Sequence, residues 1–169
     1  MTEFIRTLTG QAEKDLKEKM VFIGGPRQVG KTTLATQLAS FEKAGYLNWD
    51  IPEHRERILK GEWPGTKLWV FDEIHKYRSW RNVLKGLYDQ HGQDHPILVT
   101  GSARLNVYRY GGDSLQGRYH YLRLHPLSVA ELKISSQNEF MNLLTLGGFP
   151  EPFFKGSKIQ AARWSREYR

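Results

Sequence analysis

The amino-acid sequence predicts an α/β fold, a mostly parallel sheet covered by helices on both faces. A glycine-rich loop, Gly25 to Thr32, lies between an apolar run and an amphipathic segment. Strand-sized apolar runs alternate with helix-period segments, the pattern that parallel strands joined by crossovers require. Aromatic residues make up 12% of the chain and no segment is low in complexity, so a packed core is expected rather than disorder.

The first predicted element is a polar surface helix over residues 11 to 19, with Phe4, Ile5, Leu8, Ala12 and Leu16 forming a rough apolar stripe. Met20 to Ile23 is a short apolar run followed by glycines, read as a strand buried on both faces. From Thr32, the residues Leu34, Ala35, Leu38 and Ala39 share one helical face, and Gly45 after Ala44 is a natural stop. Further strands are predicted at Tyr46 to Trp49, Leu68 to Phe71, Ile97 to Thr100 and Tyr119 to Leu124. Between them, Trp80 to Gln90 places Val83, Leu84, Leu87 and Tyr88 on one helical face. Ser128-Val-Ala-Glu131 has the capping-box pattern of a helix start, and Asn138 to Leu146 reads as a short helix ended by Gly147-Gly148. The boundary of the core is expected between Gly147 and Pro152, dividing a 1–150 core from a short 151–169 tail.

Composition bounds the function classes. The 169 residues, 39% hydrophobic and 25% charged, suit one soluble domain with a single core. No cysteine is present, which excludes disulfides and thiolate metal sites, and the start of the chain lacks the basic and apolar regions of a secretory leader. A cytoplasmic setting is expected. No apolar stretch approaches the ~20 residues that span a bilayer, so no membrane partner is expected. The net charge of +7 fits a polyanionic partner and fits equally a site for nucleotide phosphates.

Gly25-Pro26-Arg27-Gln28-Val29-Gly30-Lys31-Thr32 matches the phosphate-loop (P-loop) pattern of two glycines with four residues between them, then Lys and a hydroxyl. Gly30 lets the backbone wrap so that its N–H groups point at phosphate oxygens, and the following helix adds its positive N-terminal end. Lys31 then meets the β and γ phosphates, Thr32 places a hydroxyl where Mg²⁺ would sit, and Thr33 could touch the α phosphate. An ordinary glycine turn would not require the strand before and the helix after. Leu68-Trp-Val-Phe71-Asp72-Glu73 is an apolar strand ending in two carboxylates, of which Asp72 can reach the Mg²⁺ shell and Glu73 can activate a water on the γ-phosphate side. A third strand ends in Thr100-Gly101-Ser102, where Ser102 or Thr100 would sense the γ phosphate. Arg118 is the candidate cation for charge developing on the transferred phosphoryl group, within the chain or on a neighbour, with Arg27 and Arg104 as rivals. The six His residues show no zinc spacing and are assigned structural or surface roles. Trp49, Trp63, Trp69 and Trp80 are assigned to the core and its edge rather than to base stacking.

Taken together, GPRQVGKTTL, WVFDEIHKYRSWRNVLKGLYD, ILVTGSARL, SLQGRYHYLRLHPLSVAEL and GGFPEPF resemble a widespread bacterial and archaeal family of AAA-type ATP-binding proteins, over about residues 15 to 169. The resemblance implies the additional-strand, catalytic-glutamate class of P-loop NTPase, in which another strand separates the acid-pair strand from the phosphate-loop strand. It also implies ATP with Mg²⁺. Family members usually continue into a second, C-terminal domain. In that light residues 151–169, with Lys155, Lys158, Arg163, Arg166 and Arg169, are the start of a basic lid or linker helix. Ile159, Trp164 and Tyr168 would be exposed there and could promote a homo-oligomer.

The function expected from these residues is Mg²⁺-dependent ATP binding and hydrolysis. Gly25, Gly30, Lys31, Thr32 and Asp72 hold the ligand, and Glu73 is the base. The alternative is a nucleotide-gated switch with slow hydrolysis that acts on a protein or nucleic-acid partner.

Overall fold

Among the described residues, five short strands gather the apolar runs of the sequence into one sheet: β1 (Met20–Gly24), β2 (Tyr46–Asn48), β3 (Trp69–Asp72), β4 (Ile97–Thr100) and β5 (Tyr119–Arg123). All neighbouring pairs are parallel and the order is β2-β3-β4-β1-β5. The acid-pair strand β3 is therefore separated from the phosphate-loop strand β1 by β4, as the resemblance implies. These are the features of a computed structural model that describes residues 4–38, 45–102 and 115–168. The rival cation Arg104 and the expected helix end at Ala44 lie outside the described residues.

β1, β3 and β4 are buried at every position, which explains their continuous apolar runs. Alternation along them divides the core. Met20, Phe22, Leu47, Trp69, Phe71, Ile97 and Val99 pack with Ile58 of α3 (Pro52–Lys60) and with Trp80, Leu84 and Leu87 of α4 (Trp80–His91). On the other side α1 (Leu8–Asp15) lies against β1, and α2 (Lys31–Leu38) lies against β4 with Leu34, Ala35 and Leu38 buried. Trp69 and Trp80 are buried, and Trp49 and Trp63 pack against the same core, so these four tryptophans take the packing roles expected of them.

The chain divides into two compact units, Met1–Gly25 with Lys31–Leu124, and Pro26–Gly30 with His125–Arg169. The division at Leu124 precedes the expected boundary at 147–152, which falls inside the second unit. That unit contains α5 (Gln137–Leu146), α6 (Pro150–Lys155) and α7 (Lys158–Glu167). α5 opens with a complete capping box: Glu139 N–H donates to Ser136 Oγ, and Ser136 N–H donates to Glu139 Oε2. The Ser135 N–H, which also donates to Glu139 Oε2, and then Ser136 hold the Glu139 carboxyl below its usual range.

Two local expectations are corrected. The first helix is α1, displaced toward the N-terminus, because after Asp15 the bonds tighten to the i−3 pattern at Lys17 and Glu18. Ser128 and Glu131 do make both capping-box bonds, at 3.2 Å each, yet no α-helix follows. Lys133 at φ 51° turns the backbone left-handed and ends the turn there. No helix among the described residues is long and apolar enough to cross a membrane.

Candidate nucleotide-binding site

Register brings the site together. Ile23, Thr100 and Asp72 are aligned across β1, β4 and β3, so the ends of three strands meet where the phosphate loop leaves β1. Open α/β sheets take their ligands at this carboxyl edge. A side chain at Gly24 would run into the Tyr121 ring and hydroxyl, which would have to move aside. Gly30 sits at φ 98°, a conformation that glycine adopts freely, and it turns the loop into α2. Gln28 takes φ 58° without being glycine.

Within the second unit this loop is tied to α7. Trp164 Nε1 donates to Gln28 Oε1 at 2.7 Å and the Tyr168 hydroxyl donates to the Arg27 carbonyl at 3.2 Å. Trp164 stacks on Tyr168 with ring centroids 4.6 Å apart, and Phe149 packs on both rings. The expectation that Trp164 would be exposed is thus corrected. Its indole has partners on two sides, whereas Ile159 is 84% exposed.

Lys31, the first residue of α2, is buried, and its ammonium donates to the Gly25 carbonyl at 3.0 Å, across the mouth of the loop. Thr32 and Thr33 follow as exposed residues of the first helical turn, while Pro26 and Val29 complete the loop. Thr32 Oγ1 donates to Asp72 Oδ2 at 2.9 Å. The other Asp72 oxygen, Oδ1, accepts from Thr100 Oγ1 at 2.6 Å. Tyr46 adds a third hydroxyl, donating to Oδ2 at 2.5 Å and accepting from Asn48 Nδ2 at 3.2 Å. Burial, and then the Asp72 carboxylate, push the Tyr46 phenol well above its usual range, so it remains a donor. The Thr32 hydroxyl and the Asp72 carboxylate are adjacent oxygen donors, the set that a small hard divalent cation such as Mg²⁺ takes.

Glu73 leaves β3 in a left-handed conformation at φ 57°, its N–H donating to the Thr100 carbonyl at 2.9 Å. Lys76 in the following 3-10 turn (Ile74–Lys76) lies 3.2 Å from Glu73 Oε2 and also pairs with Asp50 Oδ2 at 2.5 Å. Asp50, then Glu73, hold the Lys76 ammonium above its usual range. His75 Nε2 is 3.7 Å from the same Oε2 and 3.5 Å from Ser102 Oγ. Burial pushes the His75 imidazole down, with Glu73 opposing.

The structure brings Lys31, Thr32, Asp72, Glu73 and Ser102 to one edge of the sheet. It does not bring Arg118 there. β5 pairs Tyr119 with Met20 and Arg123 with Gly24, so Arg118 stands at the opposite end, about 13 Å of strand away. Its guanidinium is occupied by Asp89, with Nε donating to Oδ1 at 2.7 Å. A role for Arg118 within its own chain is therefore corrected. Thr100 is also corrected as a phosphate sensor, because it is fully buried and its hydroxyl is given to Asp72. Arg27 remains an exposed cation on the loop itself. Sequence reasoning missed Tyr46, Asp50 and the Lys76 contact, whose partners lie 26 residues apart or belong to different elements.

Comparison with known proteins agrees with this geometry. The chain is 27% identical over 155 residues to uncharacterized proteins of Mycobacterium bovis and Mycobacterium tuberculosis, across 88% of its own length. It spans 34% of the length of those relatives. In fold it is similar to a Signal Transduction ATPase with Numerous Domains protein carrying a tetratricopeptide repeat sensor, from Pyrococcus horikoshii (TM-score 0.55, 18% identity, 89% of this chain and 29% of that one). It is likewise similar to the Thermotoga maritima RuvB Holliday junction branch migration motor (TM-score 0.50, 22% identity, 77% of this chain and 49% of that one). The AAA domain family matches residues 17–133, the stretch that contains the phosphate loop, the acid-pair strand and the Thr100–Ser102 tip. With most of its length inside that match, the chain belongs to the AAA domain family and carries a P-loop ATPase core.

Proposed function

We propose that the protein binds ATP with Mg²⁺ and hydrolyses it. The observation that supports this reading best is the meeting of Thr32 and Asp72, 2.9 Å apart, beside a buried Lys31 at the start of α2. A phosphate chain lying along the loop meets the amide groups of Pro26 to Lys31 (proline excepted, which has no N–H) and the positive end of α2. Lys31 then exchanges the Gly25 carbonyl for the β and γ phosphates, and Thr33 lies within reach of the α phosphate. Thr32 and Asp72 would hold Mg²⁺, which when bound offsets negative charge on the β and γ oxygens. Glu73 accepts a proton from the water that attacks the γ phosphorus, and Ser102 orients the phosphate oxygens or that water. The products are ADP and inorganic phosphate.

The test is Glu73→Gln, which keeps size and hydrogen bonding while removing the base. ATP binding measured by calorimetry should be retained and phosphate release lost. Equal turnover in the variant and the wild type would sink the assigned role. A second observation favours low basal turnover: Lys76 occupies Glu73 Oε2, so only Oε1 is left to meet the water. Stimulation of phosphate release by DNA, RNA or protein would show that a partner frees that carboxylate, and a flat slow rate would indicate a switch.

A further inference from the structure

One half-buried titratable side chain has no role in the mechanism above. His75 is 11% exposed in its side chain, it stands between the base and the β4 tip, and its buried Nδ1 has no hydrogen-bond partner among the described residues. A neutral imidazole has one N–H and one lone pair, and the two oxygens facing Nε2 decide which nitrogen carries the proton. With the proton on Nδ1, a buried N–H would lack an acceptor and the Nε2 lone pair would face the Glu73 carboxylate. With the proton on Nε2, it points at both Glu73 Oε2 and Ser102 Oγ and only a lone pair is left unmatched, the less costly defect.

Both neighbours of Glu73 approach the same atom. Lys76 Nζ and His75 Nε2 lie 3.2 and 3.7 Å from Oε2, and Asp50 anchors the lysine from behind. Oε1 accepts no hydrogen bond from the described residues and is left for the water. The backbone of Glu73, left-handed at φ 57°, carries strain that the surroundings must hold in place.

We propose that His75 is a positioning residue, linking Ser102 to Glu73 through a single proton on Nε2. With the Ser102 hydroxyl free, that proton is shared between the two oxygens at distances too long for a full bond to either. When Ser102 turns to a γ phosphate, the proton passes wholly to Oε2 as a hydrogen bond, with no covalent transfer, and Oε1 is fixed toward the attacking water. Such bonds are often long without ligand and tighten in the substrate complex. The inference deepens the hydrolytic reading and rests on it.

The closing experiment compares His75→Ala, His75→Gln, His75→Asn and Ser102→Ala in the full chain with Mg²⁺ and ATP. His75→Ala should lower kcat by about tenfold to a hundredfold, the cost of a misplaced group. Its KM for ATP should stay within about a factor of two, as for an interaction made only in the transition state. Glutamine carries its amide nitrogen where Nε2 stands and should restore most of kcat. Asparagine carries its own where Nδ1 stands and should not. Ser102→Ala added to His75→Ala should cost less than the two singles combined.

A readout without turnover accompanies these rates, the ¹⁵N spectrum of the His75 ring, assigned by its loss in His75→Gln. The ligand-free protein should show the Nε2–H tautomer, and a non-hydrolysable ATP analogue should shift it. Unchanged kcat in His75→Ala, equal rescue by asparagine, or an Nδ1–H signature would each overturn the proposal. Absence of turnover in the wild type would defeat the hydrolytic reading instead, and the ring spectrum would then decide the Ser102–His75–Glu73 link by itself.

Discussion

Replacing Thr100 with valine tests whether hydroxyl donors hold the Asp72 carboxylate in place. Valine keeps the branched shape of a fully buried residue and removes only its donor. Asp72 Oδ1 receives the Thr100 hydroxyl at 2.6 Å and no second bond from the described residues, whereas Oδ2 keeps both Thr32 and Tyr46. Losing a hydrogen bond to a carboxylate costs about 1.5–3 kcal/mol, and a buried oxygen left without its donor puts Thr100→Val in the upper part of that range. At about 2–4 °C per kcal/mol for a chain of this size, Tm should fall by about 4–12 °C. Tyr46→Phe should cost less, about 1–2 kcal/mol, because Oδ2 retains the Thr32 hydroxyl. The assay is thermal unfolding followed by circular dichroism, with chelator and without nucleotide. A Tm for Thr100→Val within about 1 °C of wild type, or a larger loss in Tyr46→Phe than in Thr100→Val, would refute the reasoning.

Three further outcomes are expected. Lys31→Ala removes a charged donor from the loop mouth and should weaken ATP binding by about tenfold to a hundredfold in calorimetry. Gly30→Ala forces a side chain into φ 98°, which should cost about 1–3 kcal/mol in urea unfolding and weaken nucleotide affinity with it. Burial depresses the His75 imidazole below 6.5 while Glu73, Asp50 and Asp72 oppose and Lys76 assists, so the unfolded chain binds more protons there. That contribution to stability is present above about pH 6.5 and is lost as pH falls, so His75→Gln should flatten the acid-side decline in urea midpoints.

What the sequence makes legible is what is contiguous. The phosphate loop and the Asp72-Glu73 pair each occupy one short segment, and their chemistry dictates both spacing and flanking elements. The placement of β4 between β1 and β3 follows from the family resemblance, since no local pattern orders strands within a sheet. Arg118 was misplaced because a cation beside a strand does not reveal which end of the sheet that strand end joins, and only the Met20–Tyr119 register settles it. Ser128 and Glu131 formed their bonds as expected, yet helix propagation was decided two residues later, by the backbone at Lys133. Tyr46 carries no motif. Its contact with Asp72 exists only because β2 and β3 are neighbours, with Tyr46 opposite Val70.

The bond from the Trp164 indole to the Gln28 side chain gives the protein a built-in optical gauge. An indole's emission colour depends on what its N–H touches. The other four tryptophans lie in the other unit, with Trp69 and Trp80 buried and Trp49 and Trp63 partly buried, so a Trp164→Phe control isolates the signal from the loop. Any rearrangement of the loop as phosphates arrive therefore reaches a fluorophore already wired to it, so occupancy can be followed continuously with unlabelled protein and unmodified nucleotide.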